Sequence, residues 1–382
     1  MTAQRVVVAG TGLAGFTVAQ TLRSGGFAGE IVMVGQEPHR PYDRPPLSKG
    51  FLVGELTMAD LAYETDESRL DVTWRLGVAA VGLDVANRTL LLGDGSTVGG
   101  DELVIATGGR PRPFPGALTL GSVADAELLR PALAPGADVV VLGSGFIGLE
   151  VAATATQLGA EVTVVCEEDS PLDRVFGAEA SASIRGIHER AGVRFVPGVQ
   201  ALEIVPDGDR KAVVLSDGRR LSSSVVIAGV GSAPATSWLA TSDLELSPFG
   251  AIICDERGVA APGIRATGDC ASWSGAPCRH WTLAKERAAR VAHDILEPGS
   301  GQESGDLEYV WSDQHGVRLQ FAGTLHEGAV PTVESGGIDT GDVFLVYRTA
   351  DGTEVAAFGM NQLRPMMRWR KTHRRRSAGV AA

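Results

Sequence analysis

The chain writes one local pattern twice, and that pattern restricts its fold more than anything else in the sequence. Arg5 opens RVVVAGTGLAGFTVAQTLRSGG, and Ala137 opens ADVVVLGSGFIGLEVAATATQLGAEVTVV. Each is an apolar run, a glycine turn and then a helix-forming run. The apolar runs alternate with nothing polar, as strands buried on both faces of a parallel sheet require. EIVMVG and GDELVIATGG (Gly100 to Gly109) add further strands to the first unit. DGRRLSSSVVIAGVG mirrors DGSTVGGDELVIATG: in both, a polar turn leads into an apolar strand that ends on glycine. The sequence therefore predicts an α/β chain with two similar βαβ-type domains in series. Its 382 residues are too many for one ordinary α/β domain and suit two or three. Later runs are shorter, and DVFLVYRTADGTEVAAFGM reads as a hairpin or meander, so a mixed α+β domain follows.

In a G-x-G-x-x-G loop the first glycine makes a tight turn and the second lets the backbone approach a pyrophosphate. The third lets helix and strand pack closely. The helix N-terminus then points its N–H groups at the phosphates. The first loop comprises Gly10, Gly12, Leu13, Ala14 and Gly15, and the second Gly143, Gly145, Phe146, Ile147 and Gly148. One match is weak evidence in a chain with 49 glycines. Two matches, each between strand and helix and each followed by an acid beyond the next strand, point to two dinucleotide sites. The first acid, Glu37, lies 27 residues past Gly10, further than the usual ~20, because SGGFAGE lengthens the loop. In the second unit EVTVV runs into Cys166, then Glu167, Glu168 and Asp169, with no basic residue before Arg174. A carboxylate there accepts hydrogen bonds from a ribose and repels a 2′-phosphate, which favours NADH over NADPH.

Composition removes other classes. A net charge of −12 argues against a nucleic-acid partner. The apolar runs are too short to cross a bilayer, and no charged region precedes a long apolar segment. We therefore expect a cytoplasmic protein without signal peptide or membrane partner. Cys166, Cys254, Cys270 and Cys278 form no C-x-x-C pair, so neither a metal site nor a redox dithiol is expected. Against the acidic background, RPMMRWRKTHRRR (Arg364 to Arg376) is locally basic. It reads as a solvated, partly disordered end or as a docking patch for an acidic partner, the former being favoured.

Five further segments occur in order: PYDRPPLSK (Pro41 to Lys49), ATGGRPR (Ala106 to Arg112), ATGDC (Ala266 to Cys270), HWTLAKE (His280 to Glu286) and WSDQHG (Trp311 to Gly316). With the two loops, they make the chain resemble the FAD-dependent NADH:ferredoxin reductases of bacterial cytochrome P450 and ring-hydroxylating dioxygenase systems. RPPLSK and WSDQ are the specific part of that likeness, because many flavoproteins share the glycine loops. The resemblance implies a glutathione-reductase-like architecture of two Rossmann-like domains plus a C-terminal α+β domain. It implies an FAD-binding domain at 1–115 and 244–305, an NADH-binding domain at 116–243, and a C-terminal domain with its basic tail at 306–382.

The same resemblance assigns sites. Glu37 would hold the adenosine ribose of FAD, Ala80 would offer backbone to the adenine, and Arg44 and Lys49 would lie along the cofactor. Thr107, Gly108 and Arg112 join the FAD site, and Asp269 would bind near the ribityl and pyrophosphate. The turn into a helix at Trp281 would bring N–H groups to the pyrimidine end of the flavin, where reduction places negative charge. Gly229 and Gly231 would end the last strand of the NADH unit, with its ribose reader expected at Glu167, one residue beyond the family's position. Lys49 and Glu150 would meet near flavin N5 as an ion pair that shapes the nicotinamide pocket. Lys49 is one of only four lysines beside thirty arginines. Trp311 and the SDQ after it would bring the C-terminal domain close to the flavin, and Trp311 also reads as an aromatic anchor that packs one domain against another.

Three departures stand out. Cys166 fills the slot where the family carries its ribose glutamate. Gly121 and Ser122 replace an arginine that helps hold FAD phosphates. Leu283 and the Arg287–Ala288 pair replace polar residues near the flavin edge. The expected activity is hydride transfer from NADH to FAD, then single-electron transfer to a small acidic ferredoxin of [2Fe–2S] type that feeds a cytochrome P450 or dioxygenase. Rival readings are an NADH oxidase or quinone reductase, and an apoptosis-factor-like redox scaffold.

Overall fold

The computed structural model describes residues 4–63, 67–278, 280–299 and 307–377. They fall into two compact units. The first takes the described residues of Met1–Asp43, Met58–Arg110 and Ser232–Ser304; the second those of Arg44–Thr57, Pro111–Gly231 and Gly305–Ala382.

The first unit is built on a six-stranded sheet. Its order is Val259–Ala261, Ile264–Ala266, Glu102–Ile105, Arg5–Ala9, Glu30–Gly35, Thr73–Leu76. All neighbours pair in parallel except the first two, which are antiparallel. Val6, Val7, Val8, Leu103, Val104 and Ile105 are fully buried, which is what strands apolar on both faces predict. The helices Leu13–Ser24 and Trp281–Leu296 cover this sheet through Val18, Leu22, Ala288 and Val291 in one apolar core. A small antiparallel sheet, Ala80–Asp84, Thr89–Leu92 and Thr97–Gly99, completes the unit.

The second unit contains a four-stranded parallel sheet ordered Arg194–Val196, Glu161–Val165, Asp138–Leu142, Val225–Ala228. The helices Phe146–Gln157 and Ala178–Arg190 accompany it. A five-stranded antiparallel sheet follows in the order Tyr309–Gln314, Val317–Gly323, Glu354–Met360, Asp342–Arg348, Val330–Gly337. The expected hairpin is there: Asp342–Arg348 pairs antiparallel with Glu354–Met360. Phe176 joins these layers. Its ring lies 4.9 Å from that of Phe321, 5.3 Å from Phe358 and 5.6 Å from Phe146, in a core with Leu149, Ile184 and Ile187.

The basic stretch departs from its favoured reading. Leu363–Ser377 is a helix, because Met366 and Trp369 recur on one face and bury against Phe344, Val346 and Ala357. Arg364, Arg368 and Lys371 point outward. The side chains of Arg374 to Arg376 and residues 378–382 lie outside the described residues. Among the described residues no helix is long and apolar enough to cross a membrane.

Candidate active site

Each glycine loop splits into glycines that the fold requires and one that it does not. A Cβ on Gly10, whose φ is +116°, would stand 2.1 Å from the Ala106 carbonyl oxygen. One on Gly15 would stand 2.0 Å from the Gly10 oxygen. Around Gly12 a Cβ would meet nothing within 4 Å. The second loop repeats the pattern: Gly143 meets the Gly229 oxygen at 2.5 Å and Gly148 the Gly143 oxygen at 2.6 Å. Gly145 has only the Gly229 oxygen, at 3.8 Å. Gly12 and Gly145 are the N-caps of their helices, and neither helix start is closed by a side-chain cap. Open space in front of uncapped helix N–H groups is the cradle a pyrophosphate needs, so both loops fit a dinucleotide.

In the first unit several of the expected residues adjoin the loop or one another. Gly10 packs on Ala106 and Thr107, and a Cβ on Gly268 would touch the Ala14 Cβ at 3.0 Å, which brings the exposed Asp269 to the loop. Thr107 Oγ1 donates to the Ala235 carbonyl (2.9 Å), and the Ala235 N–H donates to the Gly108 carbonyl (2.8 Å). Leu13 packs against Cys278, Leu283 and Ala284 at the start of the helix that begins at Trp281. The Trp281 indole N–H donates to Asp43 Oδ1 (3.2 Å), which also takes the Tyr63 hydroxyl (3.1 Å). Glu37 stands two residues past its strand and accepts from the Tyr42 hydroxyl at 2.5 Å. The Val78 N–H bonds to the Gly35 carbonyl, so the strand that Ala80 begins starts beside Glu37.

In the second unit the ion pair forms. Lys49 Nζ lies 2.6 Å from Glu150 Oε2, although the two stand 101 positions apart in the chain. Glu150 is 5% exposed, so this carboxylate is removed from water and needs its partners. They are present: Ser48 Oγ donates to Oε2 and Ser312 Oγ to Oε1, both at 2.5 Å. Thr154 Oγ1 holds the Ser48 carbonyl at 2.6 Å, tying the RPPLS turn to the helix that carries Glu150. Trp311 stacks on Tyr309 at 6.0 Å, one residue before Ser312. Arg44, at the start of the turn, donates to the Gly121 carbonyl. Glu167 is exposed and accepts from Gln200 Nε2 at 2.7 Å, and Arg174 pairs with Glu168 at 3.1 Å. The ATGGRPR stretch divides: Thr107 and Gly108 belong to the first unit, while the Arg112 N–H bonds to the Gly231 carbonyl in the second.

All four cysteines are free and buried. Burial pushes Cys166 up to about 11 and Cys254 and Cys278 to about 12, and it raises Cys270 as well. None offers a thiolate at neutral pH. Among the described residues no cluster of His, Cys, Asp and Glu could hold a metal ion. Motif reading missed Ser48, Gln200 and Asp43 and took Ser312 only as part of the segment after Trp311. Ser48 and Ser312 do lie inside RPPLSK and WSDQ, so their place in specific motifs was the available signal.

The model of the pyridine nucleotide-disulphide oxidoreductases matches residues 4–293, and a reductase C-terminal model matches 309–381. The ferredoxin reductase component of a chlorobenzene dioxygenase from Cupriavidus sp. (strain PS12) is 36% identical over 92% of this chain and 87% of its own. The ferredoxin–NAD(+) reductase subunit of a benzene 1,2-dioxygenase system from Pseudomonas putida is 35% identical, with the same coverage. The solved covalent complex of putidaredoxin reductase with putidaredoxin superposes with a TM-score of 0.87. It is 31% identical and covers 95% of this chain and 91% of that one.

Proposed function

Because the chain belongs to the pyridine nucleotide-disulphide oxidoreductase family, we propose that it is a cytoplasmic, FAD-containing NADH:ferredoxin reductase serving a cytochrome P450 or dioxygenase. The observation that carries this reading is the doubled cradle, one per unit, with open space at Gly12 and Gly145. Bound FAD supplies the conversion of one two-electron hydride into two single-electron transfers.

The chain's own part is to bind, orient and exclude. Gly12 and the helix behind it take the FAD pyrophosphate, with Glu37 on the adenosine ribose and Asp269 along the chain to the flavin. Gly145 and its helix take the NADH pyrophosphate. Glu167, held by Gln200, accepts from the ribose, and the Arg174–Glu168 pair leaves that arginine engaged rather than offered to a 2′-phosphate. Lys49 and Glu150 form the polar wall of the nicotinamide pocket, fixed from both carboxylate oxygens. A fixed wall matters because orientation of the reacting carbon sets the rate. The outward Arg364, Arg368 and Lys371 give an acidic ferredoxin a basic helix to approach.

The buried, high-pKa cysteines count against an oxidase or disulfide reductase that works through a thiolate. The test is NADH-driven cytochrome c reduction by the FAD-loaded protein, with and without a panel of bacterial ferredoxins. We expect one ferredoxin to raise the rate strongly and rising salt to lower it. NADH consumption indifferent to every ferredoxin refutes the proposal in favour of a small-molecule reductase.

A further inference from the structure

Behind Glu150 runs a buried line of hydrogen bonds that the ion pair itself does not require. Ser312 Oγ meets Glu150 Oε1 at 2.5 Å, and Gln314 Nε2 meets Ser312 Oγ at 2.9 Å. Gln314 Oε1 meets His188 Nε2 at 2.8 Å, and His188 Nδ1 meets His315 Nε2 at 3.0 Å. Ser312 and Gln314 are each 1% exposed and His188 is fully buried, while His315 is half-buried in the turn after the strand, at φ +51°. Three separate elements contribute: the helix of Glu150, the strand Tyr309–Gln314 with its turn, and the helix Ala178–Arg190.

The direction of every bond follows from one end. A carboxylate paired with Lys49 only accepts, so Ser312 must donate to it. The Ser312 oxygen is then the acceptor for the Gln314 amide nitrogen. That leaves the Gln314 oxygen facing His188, which must carry its proton on Nε2. Nδ1 of His188 is then bare, and His315 must donate to it from its own Nε2. Burial keeps the ring neutral, as the assignment needs, by pushing the His188 pKa down to about 4.

We propose that Gln314 and His188 are positioning residues for Glu150. Each link removes one choice from the next. Set from Glu150, the line is closed at its far end by the N–H that His315 donates: His188 offers its Nε2 proton to the Gln314 oxygen, and Gln314 stops the Ser312 hydroxyl from rotating away. The carboxylate is thereby held in one orientation against Lys49. The role given to the pair rests on the nicotinamide-pocket reading above.

Two measurements on the FAD-loaded protein test it. The first is the ¹⁵N shifts of the histidine ring nitrogens. Wild type should show His188 protonated at Nε2 alone. Ser312→Ala removes the acceptor that orients the amide, so His188 should move to a mixture of tautomers. The second is rapid-mixing reduction of the flavin by NADH. Gln314→Met should slow that step by about tenfold, the scale on which small misplacements act, with NADH affinity within about twofold. A purely structural role would lower melting temperature or FAD content yet leave the rate per bound flavin intact. Ser312→Ala, a smaller change, should slow reduction likewise and carries the test if Gln314→Met does not fold. Unmoved His188 nitrogens, or an unchanged rate per flavin, overturn the proposal. A wild type that NADH does not reduce refutes the reductase reading, and with it the role of Gln314. The nitrogen shifts then report separately whether the line of bonds couples its ends.

Discussion

His188 makes the stability of the second unit depend on pH, and the size of that dependence can be worked out. Burial drives its pKa down from 6.5 to about 4; the Gln314 bond opposes the shift and nearby His315 adds to it. The folded state thus prefers the neutral ring, while the unfolded chain binds a proton near pH 6.5. Stability from this group is therefore complete above pH 6.5 and is lost progressively as pH falls towards 4. At about 1.4 kcal/mol per pKa unit, the whole effect is about 3 kcal/mol, of which about 2 is lost between pH 7 and 5. For a unit of this size, that corresponds to roughly 4–8 °C in melting temperature. His188→Gln keeps an N–H for Gln314 and cannot titrate. The assay is thermal unfolding of FAD-loaded wild type and His188→Gln at pH 7 and pH 5. The variant starts lower, since it loses the ring packed edge-on to Phe195. Its melting temperature should nevertheless fall by roughly 4–8 °C less than that of wild type over the interval. Parallel decreases would refute the assignment of a neutral buried imidazole.

Two other predictions separate structure from ligand. Gly10→Ala drives a Cβ into the Ala106 backbone, so no folded, flavin-loaded protein is expected, whereas Gly12→Ala meets open space. Gly12→Ala should fold normally by circular dichroism and lose at least about tenfold in FAD affinity, because its methyl occupies the pyrophosphate's place. Glu167→Gln, which removes the charge but not the shape, should lower the NADH-over-NADPH ratio of kcat/KM by about tenfold. An unchanged ratio would mean that another group reads the ribose.

Local chemistry was legible and long-range assembly was not. Both glycine loops, their strands, and the hairpin at Asp342–Met360 follow from periodicity and turn residues, because each is decided within some thirty residues. Lys49 and Glu150 could be paired only through resemblance, since nothing local relates residues so far apart. Ser48, Ser312 and His188 carry no signature of their own; polar residues become a network only when strand, helix and turn meet. The helix at Leu363–Ser377 was obscured by its arginines. Met366 and Trp369 hold the helical spacing, and the sheet beneath them supplies the partner that the stretch lacks alone. Gly121, which stands where the family carries an arginine, receives the Arg44 side chain on its carbonyl, a contact no single position announces.

Phe176 has a consequence for anyone recombining such reductases. Acceptor choice invites grafting, in which the sheet that begins at Tyr309 is exchanged for that of a relative. The border that the sequence offers, near residue 306, runs through chain but not around a body. Phe176 is rooted in the half built on the parallel sheet and closes the hydrophobic interior of the exchanged half through Phe321 and Phe358. A graft must therefore carry the partners of that ring from one parent: Phe146, the segment around Phe176 and the helix bearing Ile184 and Ile187 travel with the sheet or stay with it. Glu150 and Ser312 lie across the same border and would be separated by the same cut. In this chain the inheritable module is larger than the domain that its sequence outlines.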